Sequence, residues 1–359
     1  MKKQVYIINF HHVLNYGAVL QGYALCKVVE KMGHDAKLID YRPMYFVSQT
    51  YRPAKGVLKS FRKGIMNLNF YRFRRDYFKL TAKPFYSDKG LYRYFKNSNA
   101  SFICGSDQVW NAKITNGRLD PGYFLDFVPQ QGRKIAYAAS IGHTKFDREE
   151  MEEISKRLKS YHAISVREHF AKNDIKDVTN NQISPTIVLD PTLLLDDYSE
   201  LLNFKLVPEK EYMVVYTTEN SNDFRKYVKM VSNNLNLPII NLGHYHLEGK
   251  TSEYTNVHPS EWLGLFSKAS YVCTNSFHGT AFSIVFNRNF SVLGRSTLKN
   301  LNTRQITLLN NLGIGDRFIE KIGDFNIEKH LSQINYDSVD KKLKFERENS
   351  MKFLMKALS

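Results

Sequence analysis

Residues 271–290 read YVCTNSFHGTAFSIVFNRNF: an apolar strand run, a polar corner and an apolar helical run, with one imidazole, His278, at the corner. Backbone N–H groups that open a helix have no intrahelical acceptor, and the helix dipole adds partial positive charge. The corner around Ser276 and Gly279 therefore suits an anion such as a phosphate or a carboxylate. Histidine is the side chain whose unperturbed pKa suits proton transfer near neutral pH, so His278 is the candidate proton donor beside that anion.

Three further segments carry groups that could do chemistry. Residues 102–111, FICGSDQVWN, open an apolar strand onto Ser106 and Asp107. There a carboxylate could orient or deprotonate a sugar hydroxyl, although an Asx-turn or helix-capping aspartate has the same spelling. In HAISVREHF, Arg167 stands at the end of a strand run, where a guanidinium can grip phosphate or carboxylate with two hydrogen bonds. The competing role is an ion pair with Glu168 or Asp190, and the opposite facing of adjacent strand residues weakens the Glu168 version. In NYGAVLQGYAL, Asn15 can cap a helix while Gly17 lets a ligand approach the backbone; an ordinary capped turn is the alternative. No GxGxxG follows, so no dinucleotide site is expected. The pairs His11/His12 and His244/His246 have no carboxylate cluster at ligand spacing, and no metal is expected.

Such residues need elements that hold them at strand ends. Strand-like runs at 5–10, 36–41, 102–104, 134–139, 163–166 and 187–189 alternate with helical patterns such as 18–31 and 148–160, which predicts a parallel, doubly wound sheet. A second series has strands at 213–216, 238–242, 271–273 and 290–293 and helices at 223–235, 259–267 and 280–286. The expected architecture is α/β, two Rossmann-like doubly wound domains facing a cleft. Residues 1–190 form the first domain, with a basic aromatic insertion at about 52–96. Residues 191–335 form the second, carrying the SFHG corner, and 336–359 are a helix crossing back onto the first. Open sheets of this type bind ligands beyond the carboxyl ends of their strands, so the reaction is expected in the cleft.

Charge narrows the partners. With 51 Lys and Arg against 35 Asp and Glu, the formal net charge of +16 suggests anionic substrates, acidic glycans or an anionic membrane surface. Nucleic acid is not expected, because no zinc-finger spacing, helix-turn-helix or RNP-like strand accompanies the charge. Residues 52–96 hold thirteen Lys or Arg against Asp76 and Asp88, with many Tyr and Phe. This stretch could lie on an anionic membrane, aromatics inward. Alternatively its aromatics pack on the first sheet while the charges are solvated, a reading favoured by apolar positions that are not cleanly periodic. Cys26, Cys104 and Cys273 lack metal-ligand spacing and read as buried reduced thiols, which suits the cytosol. The first apolar run is too short for a secretory signal, and no stretch approaches the ~20 apolar residues that span a bilayer. A cytoplasmic protein, with peripheral contact at the inner membrane face left open, is the expectation.

NYGAVLQGYAL, GHDAKLIDY, FICGSDQVWN, YFLDF, KIAYAASIG, ISVRE, VLDPTLLL, TNSFHGTAFSIVF and RQITLLNNLGIGDR, in this order between residues 15 and 317, together resemble the polysaccharide pyruvyl transferase family. The resemblance implies a fold similar to that of GT-B glycosyltransferases. It implies phosphoenolpyruvate as donor and a sugar hydroxyl pair as acceptor, on a polysaccharide, an oligosaccharide or a lipid-linked precursor, with a pyruvate ketal and phosphate as products. It also implies roles for the histidine of the HG pair, His278, and the arginine of the SVR motif, Arg167. Arg304, in NTRQ, is a further phosphate contact or a structural ion pair. No cofactor beyond the donor substrate is expected. Two alternatives stay open: a nucleotide-sugar glycosyltransferase on the same architecture, told apart by release of UDP or GDP, and a non-catalytic glycan- or membrane-binding assembly protein.

Overall fold

Both β/α series close into parallel sheets. A computed structural model of the chain describes residues 3–142, 148–219, 221–243, 247, 251–297 and 299–359. The first compact unit comprises Met1–Leu195 and Glu346–Ser359. Its strands are β1 (Gln4–Ile8), β2 (Asp35–Leu38), β3 (Ser101–Cys104), β4 (Arg133–Ala139), β5 (Ala163–Val166) and β6 (Thr186–Ile187). They pair in parallel in the order β2-β1-β3-β4-β5-β6. Helix α1 (Tyr16–Lys31) joins β1 to β2, and α2 (Met44–Tyr51), α3 (Val57–Tyr77) and α4 (Asp88–Phe95) fill the connection to β3. Helices α5 (Arg148–Leu158) and α6 (His169–Val178) make later crossovers, and α7 (Pro191–Leu194) follows β6. Strand order reverses between β1 and β3, the place where open sheets of this type leave a crevice at their carboxyl edge.

The insertion packs as its second reading expected, but only on one side. Phe70 of α3 meets Tyr16 of α1 with ring centres 5.0 Å apart, and Met66 and Phe73 are buried with it. Phe85 and Phe95 join the core, Phe95 lying 5.1 Å from Phe102 of β3. The opposite side of α3 is apolar and exposed.

The second unit, Asp196–Phe345, holds β7 (Met213–Tyr216), β8 (Ile239–Asn241), β9 (Thr251–Glu253), β10 (Tyr271–Thr274), β11 (Asn289–Leu293) and β12 (Phe318–Ile319). Their order, β12-β11-β10-β7-β8-β9, is the 3-2-1-4-5-6 arrangement of a doubly wound sheet, with its reversal between β7 and β10. Helices α8 (Asn222–Leu235), α9 (Pro259–Ser267), α10 (Phe277–Val285), α11 (Thr303–Asn311) and α12 (Ile327–His330) surround it. Helix α13 (Tyr336–Leu358) begins in this unit, and its residues from Glu346 onward belong to the first. There Ser350 Oγ accepts from Leu189 N at 2.9 Å and Arg347 Nε donates to the Leu193 carbonyl at 2.6 Å. The first unit runs to Leu195: Asp190 caps α7, accepting from Thr192 N at 3.0 Å, and α7 packs on α1.

Candidate functional site

In the second unit the strand-order reversal is where His278 stands. Thr274 Oγ1 donates to the Tyr216 carbonyl at 2.6 Å and accepts from Ser276 N at 3.0 Å, which ends β10 and turns the chain. Asn275 Oδ1 accepts from Thr218 N at 2.9 Å, lacing the ends of β7 and β10 together. Ser276 then caps α10, its hydroxyl accepting from Gly279 N at 3.4 Å. The N–H groups of Phe277 and His278, in the opening turn, have no intrahelical acceptor. His278 is buried, edge-on to Phe277 with ring centres 5.3 Å apart.

Ser276 and Gly279, expected to bind substrate, are both engaged in building the corner. A Cβ at Gly279 would collide with Thr274 Oγ1, so the glycine is what lets α10 approach β10 so closely. Helix α11 brings Arg304 to the same place, its guanidinium carbon 5.9 Å from the Phe277 ring centre, while Gln305 donates to the Asn275 carbonyl at 3.0 Å. Arg295 was not among the residues expected from sequence. It donates to Thr218 Oγ1 at 2.7 Å and to the Asn275 carbonyl at 3.2 Å, and burial lowers its pKa while Glu219 acts the other way. Arginine retains its proton at such sites, so Arg295 adds a cation to the corner. Its signal was available: it stands just past the apolar run of β11, the pattern that singled out Arg167.

The first unit gathers Ser106, Asp107 and Arg167 beyond β3 and β5. Asp107 has φ of +83°, a conformation that non-glycine residues rarely adopt. Its carbonyl accepts from Ser140 N at 3.0 Å, opposite a bulge in β4 where Ala138 also has positive φ, +53°. Ser165 Oγ of β5 fastens that bulge, accepting from Ala138 N at 3.1 Å and donating to the Ala136 carbonyl at 2.9 Å. Backbone strain that neighbours over-determine concentrates at functional sites. Asp107 Oδ1 accepts from Gln108 N at 2.9 Å, the turn-building role weighed against the chemical one, while Oδ2 makes no hydrogen bond among the described residues.

Arg167 stands in an ion cluster. Its buried guanidinium donates from Nη1 to Asp190 Oδ2 at 2.9 Å and to Ser106 Oγ at 3.3 Å. Nη2 lies 3.4 Å from Asp107 Oδ1, and Nε 3.4 Å from Glu168 Oε2. Burial disfavours its charge, but Glu168, Asp107 and Asp190 outweigh burial and raise its pKa. One cation among three carboxylates is the centre of an ion cluster, the competing role weighed from the sequence. The argument from strand alternation against Glu168 fails because β5 ends at Val166, so Arg167 and Glu168 lie beyond the pleat. Asn15, exposed, caps α1 by accepting from Ala18 N at 3.1 Å, and Gly17 is buried in the first turn of that helix.

A second polar cluster lies past β1 and β2. Arg42 clamps Asp40 with Nε and Nη2 at 2.6 and 2.8 Å, and His11 Nε2 meets Asp40 Oδ1 at 3.1 Å. Burial would push the Asp40 pKa up, but hydrogen bonds from His11 and Arg42 outweigh it and bring it to about 2. Burial lowers the pKa of His11 and holds that of His12 well below the ordinary histidine value. His11 is thus an aspartate partner here. His244 and His246 lie outside the described residues.

Two doubly wound parallel sheets, each with candidate site residues near its strand-order reversal, make a GT-B-like α/β fold. Solved structures of UDP-N-acetylglucosamine 2-epimerases share the fold. One has a TM-score of 0.52 at 10% identity, covering 99% of this chain and 95% of its own. That of Methanocaldococcus jannaschii, in complex with UDP-GlcNAc and UDP, has 0.51 at 12%, covering 97% and 93%. That of Neisseria meningitidis, bound to UDP-GlcNAc, has 0.50 at 11%, covering 100% and 99%. At these identities the likeness shows the fold alone. No curated protein matches the chain significantly. The family model for polysaccharide pyruvyl transferase matches residues 15–297, and the chain belongs to that family of transferases.

Proposed function

We propose that this chain transfers the pyruvyl group of phosphoenolpyruvate to two hydroxyls of a sugar, in a polysaccharide or its lipid-linked precursor, giving a cyclic pyruvate ketal and inorganic phosphate. The observation that carries the reading is His278 on the opening turn of α10, in a chain of the pyruvyl transferase family. The enol phosphate takes a proton at C3, which makes C2 an oxocarbenium-like centre. The first sugar hydroxyl adds to C2 and loses its proton. The bond from C2 to the phosphate oxygen then breaks, phosphate leaves, and the second hydroxyl adds to the re-formed cation. Of the two protons shed by the hydroxyls, one balances that gained at C3 and the other leaves with phosphate.

His278 supplies the C3 proton, while the N–H groups of the α10 turn, with Arg295 and Arg304 beside them, stabilise the donor's anionic oxygens. Asp107 is the carboxylate assigned to an acceptor hydroxyl, through its open Oδ2, and Arg167 acts through Asp107 as a positioning residue. The scheme calls for no cofactor, because the donor brings its own electrophile and leaving group. A lipid-linked acceptor brings the reaction to a membrane face. Among the described residues no helix is long and apolar enough to cross a membrane, and the contact proposed is peripheral.

Incubation with phosphoenolpyruvate and free or lipid-linked oligosaccharides should yield pyruvylated glycan by mass spectrometry, with equimolar phosphate. His278→Gln should retain its fold and lose at least ~100-fold in rate. Release of UDP or GDP from a nucleotide sugar in place of phosphate would establish the glycosyltransferase alternative.

A further inference from the structure

Helix α3 has two apolar faces, and the fold uses one. Met66, Phe70 and Phe73 point into the first unit. Val57, Phe61, Ile65 and Leu68 recur at three- and four-residue spacing and so share a face, with Leu58 and Tyr71 alongside. All six are exposed, Val57 at 89%, Phe61 at 66% and Leu68 at 46%. Single exposed apolar residues are ordinary, but a continuous ridge of them along a helix marks an interaction surface. Lys55, Lys59, Arg62, Arg72 and Arg75 are also exposed, and by their spacing Arg72 and Arg75 fall on the side of the ridge. The acid on α3 is Asp76, which accepts from Arg75 at 2.7 Å.

We infer that the outer face of α3 docks on an anionic lipid bilayer. The helix lies in the interfacial plane, with Phe61, Ile65 and Leu68 at the acyl boundary and the cations level with the lipid phosphates. A bilayer offers an apolar layer directly beneath a negative one, which is the order of chemistry that a greasy ridge among cations matches. A second copy of the chain fits poorly, since two such faces would bring like charges together with only Asp76, already paired with Arg75, as an acid on α3, and protein interfaces are depleted in Lys. Nucleic acid supplies the anion but no apolar phase. The inference deepens the lipid-linked reading of the acceptor, but lipid binding can be read without donor or acceptor, so either can fail while the other stands.

The test is co-sedimentation of the full chain with vesicles of phosphatidylglycerol and phosphatidylcholine, against phosphatidylcholine alone. Binding is expected on the anionic vesicles at about 0.01 M salt, weakening toward about 1 M. Phe61→Glu combined with Leu68→Glu should reduce it by roughly tenfold or more while turnover of a soluble oligosaccharide is unchanged. In a separate Phe61→Trp chain, vesicles should shift the tryptophan emission to the blue. Absence of binding at low salt overturns the inference. So does binding that the double substitution leaves untouched, which would be adhesion by charge alone, or a dimer of the unaltered chain that the double substitution splits.

Discussion

At Arg167 one guanidinium holds three carboxylates of its own chain, and what that residue does depends on them. Taking away one partner of a buried charge pair leaves the other uncompensated, at a cost of about 3–5 kcal/mol. Arg167→Met should therefore lower the unfolding free energy by about that much in urea titration, whereas Asp107→Asn should unfold like the parent and lose turnover. An Arg167→Met protein of unchanged stability would show that the cluster is not what holds this edge of the sheet. The position of Arg167 at a strand end was legible from ISVRE, because an apolar run followed by a cation has few other meanings. Its partners were not. Asp190 is 23 residues away in sequence, and the direction of Glu168 turns on β5 stopping at Val166. Arg295 was overlooked although it carries the same pattern.

At the scale of elements, the contact between α10 and β10 is the closest test of how the corner is built. Gly279→Ala would drive a methyl into Thr274 Oγ1, whose bond to the Tyr216 carbonyl fixes the end of β10. Overpacking of this kind costs about 1–3 kcal/mol. Denaturant titration should show that loss, and in Gly279→Ala combined with Thr274→Ala the cost should be less than the sum of the two, since the second change removes the obstacle. Strands were legible because parallel sheets covered on both sides are spelled as continuous apolar runs, and Asn15 marked the start of the helix it caps, whereas α10 begins three residues before the expected 280. Helix α3 resisted such reading for a physical reason. With an inner face of Met66, Phe70 and Phe73 and an outer face of Phe61, Ile65 and Leu68, it has no polar half, and its periodicity is blurred.

For the molecule as a whole, acid weakens the fold through groups of the first unit. His11 and His12 have depressed pKa values, and Asp40 is held at about 2. All three bind protons more readily when unfolded, so each contributes stability at neutral pH that is lost on acidification. The histidine share disappears as pH falls below about 6.5, and the Asp40 share between about pH 4 and 2. A chain of net charge +16 also gains self-repulsion with each added proton. Thermal melts should show a midpoint falling from pH 7 toward pH 5, and His12→Gln should flatten that fall; an equal slope in the variant would remove the histidine from the explanation. The two β/α series were legible, while the boundary at Leu195 rests on the Asp190 cap and on α7 against α1, neither visible in composition. The return of Glu346–Ser359 to the first unit orders events during synthesis. A ribosome that has delivered everything up to Phe345 has supplied the whole of the later unit, yet the earlier one still lacks the side chains that tie down Leu189 and Leu193. The half translated first is completed last.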